Sequence, residues 1–173
     1  MFARRLLDEL RARPDMGQPA LSDFATLSNM MNMFSFDPKT LGVDEKPTTL
    51  LLKSVDPNYF AALGIPVLSS RVFDDRDTAD ATRVVVINEA LARLYFPGQN
   101  PLGKILPLGT KPEDHRQIVG VVGDIRDVEL KQEPRPQFYL PLLQTCYSPS
   151  IHVYLRTKED EPAQLASALQ QAV

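Results

Sequence analysis

Cysteine is almost missing from this chain: Cys146 is the only one in 173 residues, which excludes an internal disulfide. It says nothing of redox compartment, because exported proteins need not carry disulfides. Histidine is nearly as scarce. His115 and His152 are far apart, so there is no H-E-x-x-H pair and no pair at i, i+4 to ligate a metal. Charge of one sign is lacking too: the formal net charge is −3 and no basic cluster stands out, which argues against a nucleic-acid partner. No run approaches the roughly 18 apolar residues of a membrane-crossing helix. The opening MFARRLLDELRARP has no apolar h-region, so a secretion signal would lie outside these residues.

Proline is abundant instead: 15 of 173 residues, about 9%, against roughly 5% on average. That favours many short elements over a long helical bundle. With 43% hydrophobic residues the chain can bury a core without staples. Phe2, Leu6, Leu7 and Leu10 recur at helical spacing, predicting an amphipathic helix over 2–13 that Pro14 ends. Residues 15–19 read as a turn and 20–28 as a strand. Residues 29–47 read as an irregular loop, and Leu50–Val55 as a buried strand. Asp56 is placed to cap a short helix with Pro57 at its first position, and Gly64 to end it in the left-handed region. Strands are expected at Val84–Ile87, Ile105–Leu108, Gln117–Val122, Gln137–Leu140 and Ile151–Thr157. Asn88 is expected to cap a helix running to about Tyr95, stopped by Pro97-Gly98. A last helix over Pro162–Val173 is still running at its final residue, which implies an element downstream. The irregular mixture gives an α+β fold class. The expectation is two small mixed subdomains: 1–73 plus 135–173, with 74–134 inserted.

Several motifs tempt a chemical reading. Gly98 to Lys104 matches G-x-x-x-x-G-K, but Ile105 follows where a phosphate loop needs Ser or Thr. Pro101 also removes an amide from a loop that works through its amides. Asp74, Asp75, Asp77 and Asp80 form an acidic cluster that lacks the central Gly of a calcium loop, so a solvated turn is the better reading. Cys146 would need a neighbouring base, and its loop offers Tyr147, Ser148 and Pro149. Gly120 and Gly123 suit a bulge or a close backbone approach. NMMNMFSF at 29–36 is soft and apolar. It suits packing first and an adaptable contact surface second. No catalytic, cofactor-binding or metal residue is therefore assigned.

Three blocks in fixed order carry a resemblance: VDPNYFAALGIPVLSSRVFDDRD, VVVINEALARLYFPGQNPLGKIL and IVGVVGDIRDVELKQEPRPQFYLPL. Together they resemble the MacB-like periplasmic core domain of ABC-transporter permeases of the macrolide-exporter and lipoprotein-release type. The resemblance covers roughly 50–173, with a weaker match at the first helix. It implies a porter-like subdomain carrying a smaller insertion, lying outside the membrane between two transmembrane helices of its own permease. It implies a separate or fused ATP-binding subunit, a homodimer in the full-length protein, a possible periplasmic adaptor, and no chemistry or cofactor in the domain itself. Phe73 and Asp77 then mark the way into the insertion, and Pro134, Arg135, Pro136 and Tyr139 the way back. A competing reading is a periplasmic interaction module that regulates a separate enzyme without transport. A third is a stand-alone soluble enzyme or ligand-binding protein.

Overall fold

The computed structural model of the protein describes residues 2–12, 18–25, 32–43, 46–125, 133–145 and 150–155. In chain order the elements are α1 (Phe2–Arg11), β1 (Ala20–Ser22), β2 (Asn32–Phe36), β3 (Thr48–Val55), α2 (Tyr59–Ala62) and β4 (Val67–Ser70). They continue with β5 (Val84–Asn88), α3 (Glu89–Tyr95), β6 (Ile105–Pro107), β7 (His115–Val122), β8 (Gln137–Pro141) and β9 (His152–Tyr154). Short 3-10 turns at Pro38–Leu41 and Pro112–Asp114 precede β3 and β7.

The strands form one mixed sheet in the order β4-β7-β5-β8-β3-β1-β9, with β2 on β3 and β6 on β7. Strand β8 lies at its centre. On one side it runs parallel to β3 through five consecutive pairs, from Leu51↔Gln137 to Val55↔Pro141. On the other it runs antiparallel to β5 through two, Val86↔Tyr139 and Ile87↔Phe138. Residues 74–134 thus supply β5, β6 and β7 to the same sheet that their flanks build, and α3 to one of its faces.

Both faces of this sheet are covered, which is why Val84-Val-Val-Ile87 is an unbroken apolar run rather than an alternating one. Val85 and Ile87 face α3, packing with Leu91, Tyr95 and Phe96 and with Leu50, Leu52, Phe138 and Leu140. Val84 and Val86 face α2, packing with Tyr59, Phe60, Val55 and Tyr139. On α1, Leu6 and Leu10 seat on Leu21 and Leu142. Side chains such as Phe138 and Leu91 are wholly buried, and each contributes about 1.5–3 kcal/mol by leaving water.

The mixed α+β architecture agrees with expectation, and several local readings need correction. Residues 32–36 are a strand and not an irregular loop. Phe34 and Phe36 turn inward, ring to ring with Phe138 at 5.6 Å and Tyr95 at 5.3 Å, while Met33 stays exposed. Strand β4 was not foreseen: three of its four residues are exposed, so it has no apolar alternation to read. Asp56 does not cap α2. The helix opens at Asn58 without a side-chain cap, and the Asp56 carboxylate turns to β1 instead. Gly64 does take the left-handed conformation, at φ 68°. Gly120 meets the close approach expected of it: a Cβ there would lie 1.8 Å from the Arg71 carbonyl oxygen. The predicted helix over 162–173 lies outside the described residues.

Candidate functional site

The motif resembling a phosphate loop is a structural turn. Its amides point inward: Gln99 donates to the Phe96 carbonyl, Leu102 to the Asn100 side chain, Gly103 to the Ile118 carbonyl and Lys104 to the Pro101 carbonyl. The Lys104 ammonium binds the Gln99 side chain and lies 5.1 Å above the Phe96 ring. His115 is exposed at the start of β7, while His152 is half-buried on β9 opposite Ser22. Cys146, Met30 and Met31 lie outside the described residues. Among the described residues no group of three His, Cys, Asp or Glu side chains is placed to hold a metal ion.

The acidic cluster is an arginine network. Asp77, almost fully buried, accepts both guanidinium nitrogens of Arg71 at 2.7 and 2.9 Å, and the Asp74 amide at 2.9 Å. Asp74 accepts the Arg76 side chain at 3.0 and 2.8 Å and its amide at 3.0 Å. Those bonds hold the Asp74 carboxyl well below the usual carboxylate range, and Asp77 raises the Arg71 guanidinium above its own. The network fixes the strap of chain that leaves β4. Ser70, the last residue of β4, takes the left-handed conformation at φ 59°, and Gly120 lets the Arg71 backbone pass against β7. A small cleft of about 20 Å³, roughly room for one water, lies beside the strap, lined by Val55, Asp56, Pro57, Phe73, Pro141 and Leu142 among others.

Elsewhere, buried polar side chains complete strand joints that the backbone leaves short. Strands β1 and β3 share the register pair Ser22↔Val55. On one side of it Asp56 accepts the Leu21 amide at 2.9 Å and returns its own amide to the Leu21 carbonyl. On the other, Asp23 accepts the Ser54 amide at 2.8 Å and returns its amide to the Ser54 carbonyl. Between β5 and β8 the same task falls to amides. The Asn88 carbonyl oxygen accepts Leu91 N–H at 3.0 Å, capping α3 as the sequence predicted, and also Gln137 N–H at 2.9 Å. Its NH₂ donates to the Arg135 carbonyl at 2.9 Å. At the far end Gln144 accepts Val84 N–H at 3.2 Å and donates to the carbonyls of Thr78 and Thr82 at 3.1 and 3.0 Å. Asp124 adds a second bond at the start of α3, accepting Ala90 N–H at 2.8 Å, and pairs with Arg93 at 2.7 Å.

These groups are engaged with backbone or with opposite charge, so what the arrangement does chemically is hold segments in register. Of the residues singled out from sequence, the structure brings Phe73 and Asp77 together at the strap. It sets Arg135 and Tyr139 on either side of the Asn88 joint. Arg71, Asp124 and Gln144 were not foreseen. A signal existed for Arg71, which stands just ahead of an aspartate-rich turn; Gln144 has none, since its partners are 60 to 66 residues away.

A family model described as the MacB-like periplasmic core domain matches residues 6–172. The macrolide export ATP-binding/permease protein MacB of Acinetobacter baylyi is 30% identical over 107 residues, 58% of this chain and 16% of that protein. A probable syringafactin export ATP-binding/permease protein, SyfD of Pseudomonas syringae, is 32% identical over 78 residues, 44% of this chain and 11% of that protein. The chain thus spans about a sixth or less of the length of these relatives. In fold it is similar to the periplasmic region of MacB from Actinobacillus actinomycetemcomitans, with a TM-score of 0.66, 17% identity, and 96% of this chain and 70% of that one covered. It is also similar to the extracellular domain of the ABC-type transporter YknZ from Gram-positive bacteria, with a TM-score of 0.61, 18% identity, and 95% and 75% covered.

Proposed function

The chain belongs to the MacB-like periplasmic core domain family of ABC-transporter permeases, and from that membership we propose that it is a mechanical coupling domain. It stands outside the inner membrane, attached to the transmembrane helices of its own permease. Hydrolysis of ATP by a cytoplasmic ATP-binding unit moves it. It passes that movement to an exported substrate or to a periplasmic adaptor, and it carries no chemistry itself. A porter-like part, 1–73 with 135–173, and an inserted part, 74–134, belong to this reading, as does a homodimer in the full-length protein.

The family match over nearly the whole chain carries the proposal. The site geometry supports it: the named charged and amide groups bind neighbouring strands, as a transmitting part requires. The test is removal of the domain from the full-length permease in membrane vesicles. The expected result is persistent basal ATP hydrolysis with loss of substrate export. Export that survives the deletion would overturn the reading. Survival with an altered periplasmic enzyme activity would identify an interaction module instead.

A further inference from the structure

We propose that Asn88 and Gln144 are positioning residues that fasten 74–134 to the rest of the sheet, so that the two parts move as one body. The inference deepens the coupling function above, since it names the residues through which a displacement would pass. Backbone pairing between β5 and β8 is limited to Val86↔Tyr139 and Ile87↔Phe138. Continuing that register sets Asn88 beside Gln137 and Val84 beside Pro141. At the first position the Asn88 side chain, in place of its backbone, receives Gln137 N–H. At the second, the Pro141 carbonyl already accepts the amides of Gln144 and Thr145, and Val84 N–H turns to the Gln144 side chain. The short ladder is therefore closed at both ends by a carboxamide.

Each carboxamide also reaches into a crossing between the two parts. Asn88, on the inserted part, holds the returning chain at Arg135 and Gln137. Gln144, on the porter-like part, holds the outgoing strap at Thr78 and Thr82 and the first residue of β5. The fasteners are reciprocal: each part supplies one and receives one. A carboxamide suits the task because it donates and accepts at once, so a single side chain ties two backbone groups of opposite polarity. Asn88 is fully buried and Gln144 partly so, which keeps water from competing for the bonds.

The test uses this chain with Cys146→Ser and spin labels at two exposed positions, Ala61→Cys on α2 and Lys111→Cys beyond β6. The parent should give one narrow distance distribution. The double variant Asn88→Ser, Gln144→Leu should broaden it at least twofold, because serine still caps α3 but is too short to cross to Arg135. In hydrogen exchange the Val84 and Gln137 amides should accelerate roughly fivefold to tenfold, the size of one lost hydrogen bond. Leu140, held by the parallel pairing with β3, should stay within about twofold. Should the double variant not fold, Asn88→Asp keeps both accepted bonds and loses the donated one, and should still broaden the distribution. An unchanged narrow distribution, or exchange rising equally over every strand, would overturn the proposal. Both readouts are taken on the isolated chain, so they stand or fall apart from any result on export.

Discussion

Strand β8 is joined to its two neighbours in different ways. Toward β3 it pairs backbone to backbone over five consecutive residues. Toward β5 it pairs over two, and the joint is finished by side chains of Asn88 and Gln144. A backbone ladder is indifferent to most side-chain changes at its solvent edge, because every residue but proline brings the same donor and acceptor. A joint completed by carboxamides depends on two particular residues. The β3 side therefore resists substitution unless packing is disturbed, while the β5 side can be loosened by a single atom exchange. The β1–β3 joint repeats the second design with aspartates, and its two carboxylates accept amides but cannot donate.

The sharpest way to separate the two joints is to strike packing on one and hydrogen bonding on the other. Leu52→Ala, on the β3 side beneath α3, should cost about 2–5 kcal/mol through the cavity it leaves. A thermal melt checks this, and a shift of a degree or two would mean the site collapses around the loss. Asp77→Ala should come next, at about 1–3 kcal/mol. It strips the buried acceptor from the Asp74 amide and from Arg71, whose side chain is 32% exposed and so partly consoled by water. Urea unfolding measures it, and an unmoved midpoint would show that the strap needs no anchor.

Asn88→Ala should cost on the order of 1 kcal/mol for the lost cap, and Asn88→Asp should restore part of that through Leu91 N–H. If alanine leaves the melting temperature where it was, the cap assignment fails. Acid should give the smallest effect. The Asp74 carboxyl is held below its ordinary value of 3.8 in the folded protein. Its contribution is therefore fully present above that value and is lost as pH falls below it. Urea midpoints at pH 7 and pH 3 should differ less in Asp74→Asn than in the parent; equal differences would remove Asp74 from the account.

How much of this was legible depended on the range of each interaction. The Asn88 cap, the Gly64 stop and the close approach at Gly120 are local or backbone constraints, and residue type alone announces them. The aromatic pair Phe34 and Phe36 was hidden because methionines at 30, 31 and 33 blur the alternation that marks a strand. Strand β4 was hidden because an edge strand with three exposed residues carries no apolar pattern. Asp56 illustrates a competition. Asp-Pro before an apolar run reads as a helix start, yet the carboxylate bonds Leu21 across 35 residues. Gln144 could not be found from sequence at all, since a glutamine after a proline-bounded strand is commonplace until the fold delivers Thr78, Thr82 and Val84 to it. The family resemblance, by contrast, was readable because it rests on the order of blocks rather than on any contact.

Gly120 has one more consequence. A Cβ at this position would overlap the Arg71 carbonyl, a backbone atom that cannot swing aside as a side-chain tip can. Every coding change away from glycine adds that carbon, so no stepwise route leads out through a smaller intermediate. In a saturation library scored for folded protein, column 120 should be empty of all nineteen alternatives. The neighbouring edge positions 67 and 68, exposed to solvent, should accept many. Descendants of this sequence can vary the rim of the sheet freely, but the point where the strap passes β7 admits no drift.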